Sequence, residues 1–79
     1  MFSSIKNFVN DNKFCIQIFN DCININNYQK IITLEEDRIS VSSDFKIVSI
    51  KGENLSITKL LDNEILITGS FKEVVFHEV

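Results

Sequence analysis

The side chains in this chain that are able to do chemistry are few and far apart. His77 is the sole histidine, and it lies on the opposite face of its strand from Val74 and Phe76. General acid–base or nucleophilic work needs a partner group in the same pocket, and a histidine at this place is more often a surface residue than a catalyst. Glu35-Glu36-Asp37 and Asp62-Asn63-Glu64 have the composition of paired-carboxylate sites. Adjacent acids in a turn are ordinarily solvated, and the sequence implies no basic or apolar pocket that would tune one against another. Gly52 and Gly69 are isolated, so there is no glycine-rich phosphate loop, and each fits a positive-φ turn or a bulge. Cys15 and Cys22 complete the set. With Asn20-Asp21 as a two-residue loop, Cys15 falls opposite Asn26 and the thiols lie roughly 13 Å apart along the strands. A disulfide needs Cα atoms within about 7 Å. A metal site would need more ligands than two thiols and a distant imidazole. The residues therefore predict two reduced thiols and no catalytic, cofactor-binding or metal-ligating site, and the expectation is a chain that is not an enzyme. A pocket joining His77 to a carboxylate and a nucleophile would revive a hydrolase reading.

The elements that position these residues follow from an apolar pattern with a period of 16. Ile16/Ile18 precede Ile23/Ile25, Ile32/Leu34 precede Ile39/Val41, and Val48/Ile50 precede Leu55/Ile57. A looser fourth copy has Ile65/Ile67 followed by Val74/Phe76. Alternation at period two puts each pair on one face of a strand. A two-residue loop between the pairs sets 18 against 23, 16 against 25, 34 against 39, 32 against 41, 50 against 55 and 48 against 57. Each apolar residue then meets another on the same face. Turn residues at Asn20-Asp21, Asn26-Asn27, Glu36-Asp37, Ser43-Asp44, Gly52-Glu53-Asn54, Asp62-Asn63 and Gly69-Ser70 mark the strand ends. Asn20-Asp21 and Gly52-Glu53 suit primed turns with positive φ; Glu36-Asp37 suits them poorly and favours a wider loop. The predicted fold is all-β, with about four tandem β-hairpins closing into a small sandwich or roll over residues 13–79. The strand candidates are 13–19, 22–26, 29–35, 38–42, 45–51, 54–60, 64–69 and 72–78. A short β-solenoid is the competing architecture, with Tyr28, Phe45 and Leu60 along a third wall. Its corners would be richer in glycine than a chain with two.

Residues 1–12 differ from the rest. Phe2, Ile5 and Val9 recur at helical spacing and Ser3 or Ser4 fits a cap, which predicts a short N-terminal helix packed on the β-domain. A helix this short needs such packing to persist in water.

Composition bounds the partners. The chain has 79 residues, enough for one small domain, and 13 of them are isoleucine, a strand former. Net charge is −3 and the seven lysines are scattered. Nucleic acid and anionic membranes attract clustered cations, so neither is expected as a partner. A small β-barrel that stacks bases on exposed aromatics is the alternative functional class, and it lacks a basic groove here. The opening residues lack the pattern of a signal peptide, and no apolar run approaches the ~20 residues of a membrane helix. The expectation is a cytoplasmic protein with no span of its own.

Two glycine-centred stretches carry a family resemblance. Val48-x-Ile50-x-Gly52-x-x-Leu55-x-Ile57-x-x-Leu60, then Glu64-Ile65-x-Ile67-x-Gly69-x-Phe71-x-x-Val74-x-Phe76, resemble the C-terminal half of the YabP/YqfC family of sporulation proteins. Ile16-x-Ile18-x-Asn20, Ile23-x-Ile25, Tyr28, Ile31, Leu34, Ile39 and Val41 fit its first half and are more similar to the YqfC branch. The resemblance spans about residues 14–76, with Lys46 where the family commonly has glycine. It implies a non-enzymatic protein of endospore formation, made in the mother-cell cytoplasm and acting through protein–protein contacts. It also implies a sporulation protein as partner, membrane-anchored in one version, which would hold this chain at a membrane surface. The family offers no catalytic residues or cofactors to carry over.

The absence of proline and the small core point to association through an exposed strand edge, as a homo-oligomer or with a partner strand. The last strand is the expected edge, with Val74, Val75, Phe76 and Val79 as its contact residues. Ile50, Ile57 and Ile67 are expected to be buried.

Overall fold

In a computed structural model, residues 13–43 and 46–78 are described. The proposed N-terminal helix, Phe45 and Val79 lie outside them. Six strands form one antiparallel sheet: β1 (Cys15–Ile18), β2 (Cys22–Asn26), β3 (Lys30–Leu34), β4 (Arg38–Ser42), β5 (Lys46–Leu60) and β6 (Glu64–Glu78). Their order is β1-β2-β6-β5-β4-β3. The described residues are all-β as the alternation predicts, and among them no solenoid stacking of consecutive rungs occurs.

The first hairpin has the register the sequence specifies, with Ile16 opposite Ile25 and Ile18 opposite Ile23. Phe19 N donates to Cys22 O at 2.8 Å, which closes a two-residue loop. Neither Asn20 nor Asp21 has positive φ, so this is not the primed turn expected. Ile23 and Ile25 are fully buried, whereas Ile18, beside the loop that closes the hairpin, is exposed. Glu36-Asp37 also makes a two-residue loop rather than a wider one, since Glu35 and Arg38 bond each other in both directions. A bulge between Ile31 and Thr33 moves Ile31, not Ile32, opposite Val41, while Leu34 still meets Ile39. The extra residue at a bulge reverses which side chain faces inward, and Ile32 is correspondingly exposed.

The third repeat is not a hairpin. Residues 46–60 are one strand and 64–78 another, joined by a tight turn at Asp62-Asn63 where Leu61 N donates to Glu64 O at 2.8 Å. Ile50 lies between Ile39 and Val74, and Ile57 opposite Ile67, so the pairings of 50 with 55 and 48 with 57 do not occur. The glycines mark a bend that crosses both long strands, with register shifts between Lys51 and Gly52 and between Glu53 and Ser56. Gly69 takes φ +140 and Asn54 φ +54, the conformations that a turn would also have used. Both a hairpin loop and a bulge call for such residues, and only the distant partner strand distinguishes them.

The bend divides the sheet into two halves. β1, β2, the start of β6 and the end of β5 form one; β3, β4, the start of β5 and the end of β6 form the other. Each half has an apolar face that must be covered. Ile23, Ile25, Ile65 and Ile67 from the first half share one buried cluster with Ile39, Val41, Val48 and Ile50 from the second, with Leu55 at the bend. The sheet is therefore folded on itself as a roll. Its β3–β4 tip is pinned to the bend, where Gly52 N donates to Asp37 O at 3.1 Å and Leu55 N to Glu36 O at 2.7 Å. The connection between the halves is fixed at Tyr28, whose hydroxyl donates to Leu61 O at 3.2 Å.

Candidate interaction surface

The fold leaves part of β6 with one neighbour. β2 pairs with β6 only over Glu64–Thr68, and from Ser70 to Glu78 the described residues pair it with β5 alone. An edge of this kind presents alternate backbone donors and acceptors to its surroundings. Residue parity then decides which side chains flank it. Val74 and Phe76 pair with Ile50 and Val48 and so share the inner face. Val75 and His77 pair with Ser49 and Ile47 on the outer one.

Three of the four residues proposed for this edge are described. Val74 and Val75 are half-buried, with Val74 packed on the core cluster, and Phe76 is 54% exposed. Phe76 is on the inner face but stands at the open mouth of the roll, where the two halves part. There it lines a cleft of about 400 Å³ with Phe14, Ile16, Ser43 and Lys46. The Lys46 ammonium lies 6.0 Å from the Phe76 ring centroid, within the range for a cation–π contact. Phe14 and Lys46 were not among the residues expected here. Phe14 was legible, because it is in phase with Ile16 and Ile18 and extends their apolar face by one step.

The remaining candidates do not converge. His77 is exposed and lines none of the clefts described here. Among the described residues no three of His, Cys, Asp and Glu are grouped as metal ligands would be. Likewise, no described helix is long and apolar enough to cross a membrane. A charged groove over the bend contains Glu35, Asp37, Arg38, Lys51, Glu53 and Lys72, with acids and bases in equal number. Within it Lys72 Nζ lies 2.9 Å from Glu53 Oε1, and this hydrogen bond, then the ammonium charge, lowers the Glu53 pKa. The pair's contribution to stability is present above the usual glutamate pKa and is lost as pH falls through the lowered one. Both side chains are mostly exposed, so the effect is small.

Cys15 lies opposite Asn26 as the loop geometry requires, and both cysteines are free thiols. Desolvation, reinforced by the charge and hydrogen bond of Asp21, pushes the Cys22 thiol above its ordinary pKa. Thiolate is the reactive form. Cys22 is therefore expected to react with iodoacetamide at mildly alkaline pH more slowly than a cysteine in an unstructured peptide. Asp21→Asn is expected to speed it; mass-spectrometric rates equal in the two proteins would contradict this assignment.

No curated protein matches the chain, and no solved structure does. The YabP family matches residues 12–79, which takes in every described strand, both glycines of the bend and the β6 edge. The chain belongs to the YabP family.

Proposed function

We propose that this chain is a non-enzymatic assembly protein of endospore formation, acting in the mother-cell cytoplasm through protein–protein contacts. Membership of the YabP family supports the link with sporulation. The observation that supports the contact mechanism is the β6 edge, where a strand margin unpaired among the described residues and an exposed Phe76 lie side by side. Exposed aromatics next to backbone ready to pair are features that β-strand addition uses. The partner in this reading is a sporulation protein, membrane-anchored, that holds the chain at a membrane surface. Within the family we assign the chain to the YqfC branch, on the pattern of its first half from Ile16 to Val41.

The test is deletion of the gene in its own host, complemented by the wild type or by Phe76→Asp. Loss of heat-resistant spores, rescued by the wild type but not by Phe76→Asp at equal protein level, is expected. Normal spore yield and envelope structure in the deletion strain would overturn the reading.

A further inference from the structure

We propose that two copies of this chain join through the β6 edges as antiparallel strands, about a two-fold axis at Val75. The argument begins with symmetry. A two-fold that extends a sheet across antiparallel edges must stand perpendicular to the sheet, because only then does each copy keep its outer face outward. Such an axis sets one residue against its own copy, and its neighbours pair at equal steps on either side. The possible registers along Glu73–Glu78 are therefore few, and the side chains distinguish them.

An axis at Val75 opposes Val74 to Phe76 and Glu73 to His77. Apolar residues meet apolar ones. The Glu73 carboxylate meets an imidazole N–H that donates to it. Each of these pairs occurs twice by symmetry. An axis at Val74 opposes Glu73 to Val75; one at Phe76 opposes Val75 to His77 and Val74 to Glu78. Both set charged or polar groups against apolar ones. Cross-strand pairs are the unit of sheet stabilisation, so one register is selected. The edge itself is available over this length, since among the described residues β6 beyond Thr68 pairs with β5 alone. Such a dimer would continue the sheet from one roll into the next and place the two Phe76 rings beside the partner's Val74.

The experiment uses the full chain with Cys15→Ser and Cys22→Ser, into which Glu73→Cys, Val74→Cys or Val75→Cys is introduced singly. Directly opposed strand residues have Cα atoms about 4.5–5.5 Å apart, within disulfide range. Under mild oxidation Val75→Cys is expected to cross-link in pairs, and the other two to remain largely uncross-linked. Light scattering on the wild type is expected to show mass rising from 9.1 kDa toward twice that with concentration. Glu73→Lys or His77→Glu alone is expected to weaken the dimer about tenfold, and the two together to restore it. Unchanged circular dichroism and urea midpoints would show that each variant folds.

A chain that stays monomeric at every concentration overturns the proposal, as does a dimer that cross-links best at another position. Dimerisation seen only after removal of residues 1–12 also overturns it for the full chain, and would place that segment along the edge instead. The proposal shares only its location with the functional reading above. A monomer whose deletion still blocks sporulation removes the dimer and leaves that reading intact.

Discussion

Replacing Gly52 by alanine is expected to destabilise the domain by about 3 kcal/mol or more, near the upper range for a single added methyl group. A Cβ at this position would stand 2.0 Å from the Ser70 carbonyl oxygen and 3.1 Å from Leu55 Cδ2. The nearest obstacle is backbone, which cannot rotate away as the end of a side chain does. Relief requires β5 and β6 to separate where both bend, which also disturbs the bonds from Gly52 N and Leu55 N to the β3–β4 tip. A glycine-to-alanine change ordinarily restricts the unfolded chain and stabilises by about 0.4–1 kcal/mol where the conformation permits. The expected sign is thus opposite to the entropic one. A domain this small has about 5 kcal/mol to lose, so circular dichroism should show a large unfolded fraction at physiological temperature. A urea midpoint equal to that of the wild type would show that the two strands do not approach so closely.

Truncating Ile50 or Ile67 to alanine is expected to cost about 2–5 kcal/mol, and the same change at Ile57 distinctly less. Ile50 and Ile67 are fully buried, each between apolar neighbours on both flanking strands: Ile39 and Val74 for one, Ile23 and Ile57 for the other. Loss of three carbons there leaves a cavity that the surrounding isoleucines cannot close without leaving their rotamers. Ile57 is half-buried and lies on the margin of its half of the sheet, with a single neighbouring strand. Urea midpoints should therefore fall far for the first two and modestly for the third. Equal midpoints in all three variants would show that the core is not centred on the folded sheet.

What could be read in advance was local. The register of Ile16 and Ile18 against Ile25 and Ile23 followed from two-residue periodicity and a short loop, both contained within eleven residues. Asp62-Asn63 was legible as a turn for the same reason. The choice between a turn and a bulge at Gly52 was not legible, for a physical reason: both make the same local demand for positive φ or a missing Cβ. The difference between them is whether β5 keeps pairing with β6 on both sides of the glycine, and the partner of Ile50 is Val74, 24 residues away. Placement of β2 beside β6 was not legible either, because apolar faces of alternating isoleucines are interchangeable until the roll closes. At the candidate surface, the phase of Phe76 could be read, and its exposure could not. Exposure depends on where the two halves part, which is a property of the bend.

The position of β6 also constrains how the protein is made. The last strand in chain order is not at the margin over its first half but lies between β2 and β5. Synthesis proceeds from the N-terminus, so β1 and β2 emerge as a hairpin whose docking strand does not yet exist. A two-stranded hairpin is marginal in water on its own. The half-sheet containing Ile23 and Ile25 therefore stays open until Ile65 and Ile67 have left the ribosome. Closure then joins segments distant in sequence, which is the slow, late kind of contact in β-proteins. Until that moment the nascent chain exposes both apolar faces, and it depends on the cell to keep them apart.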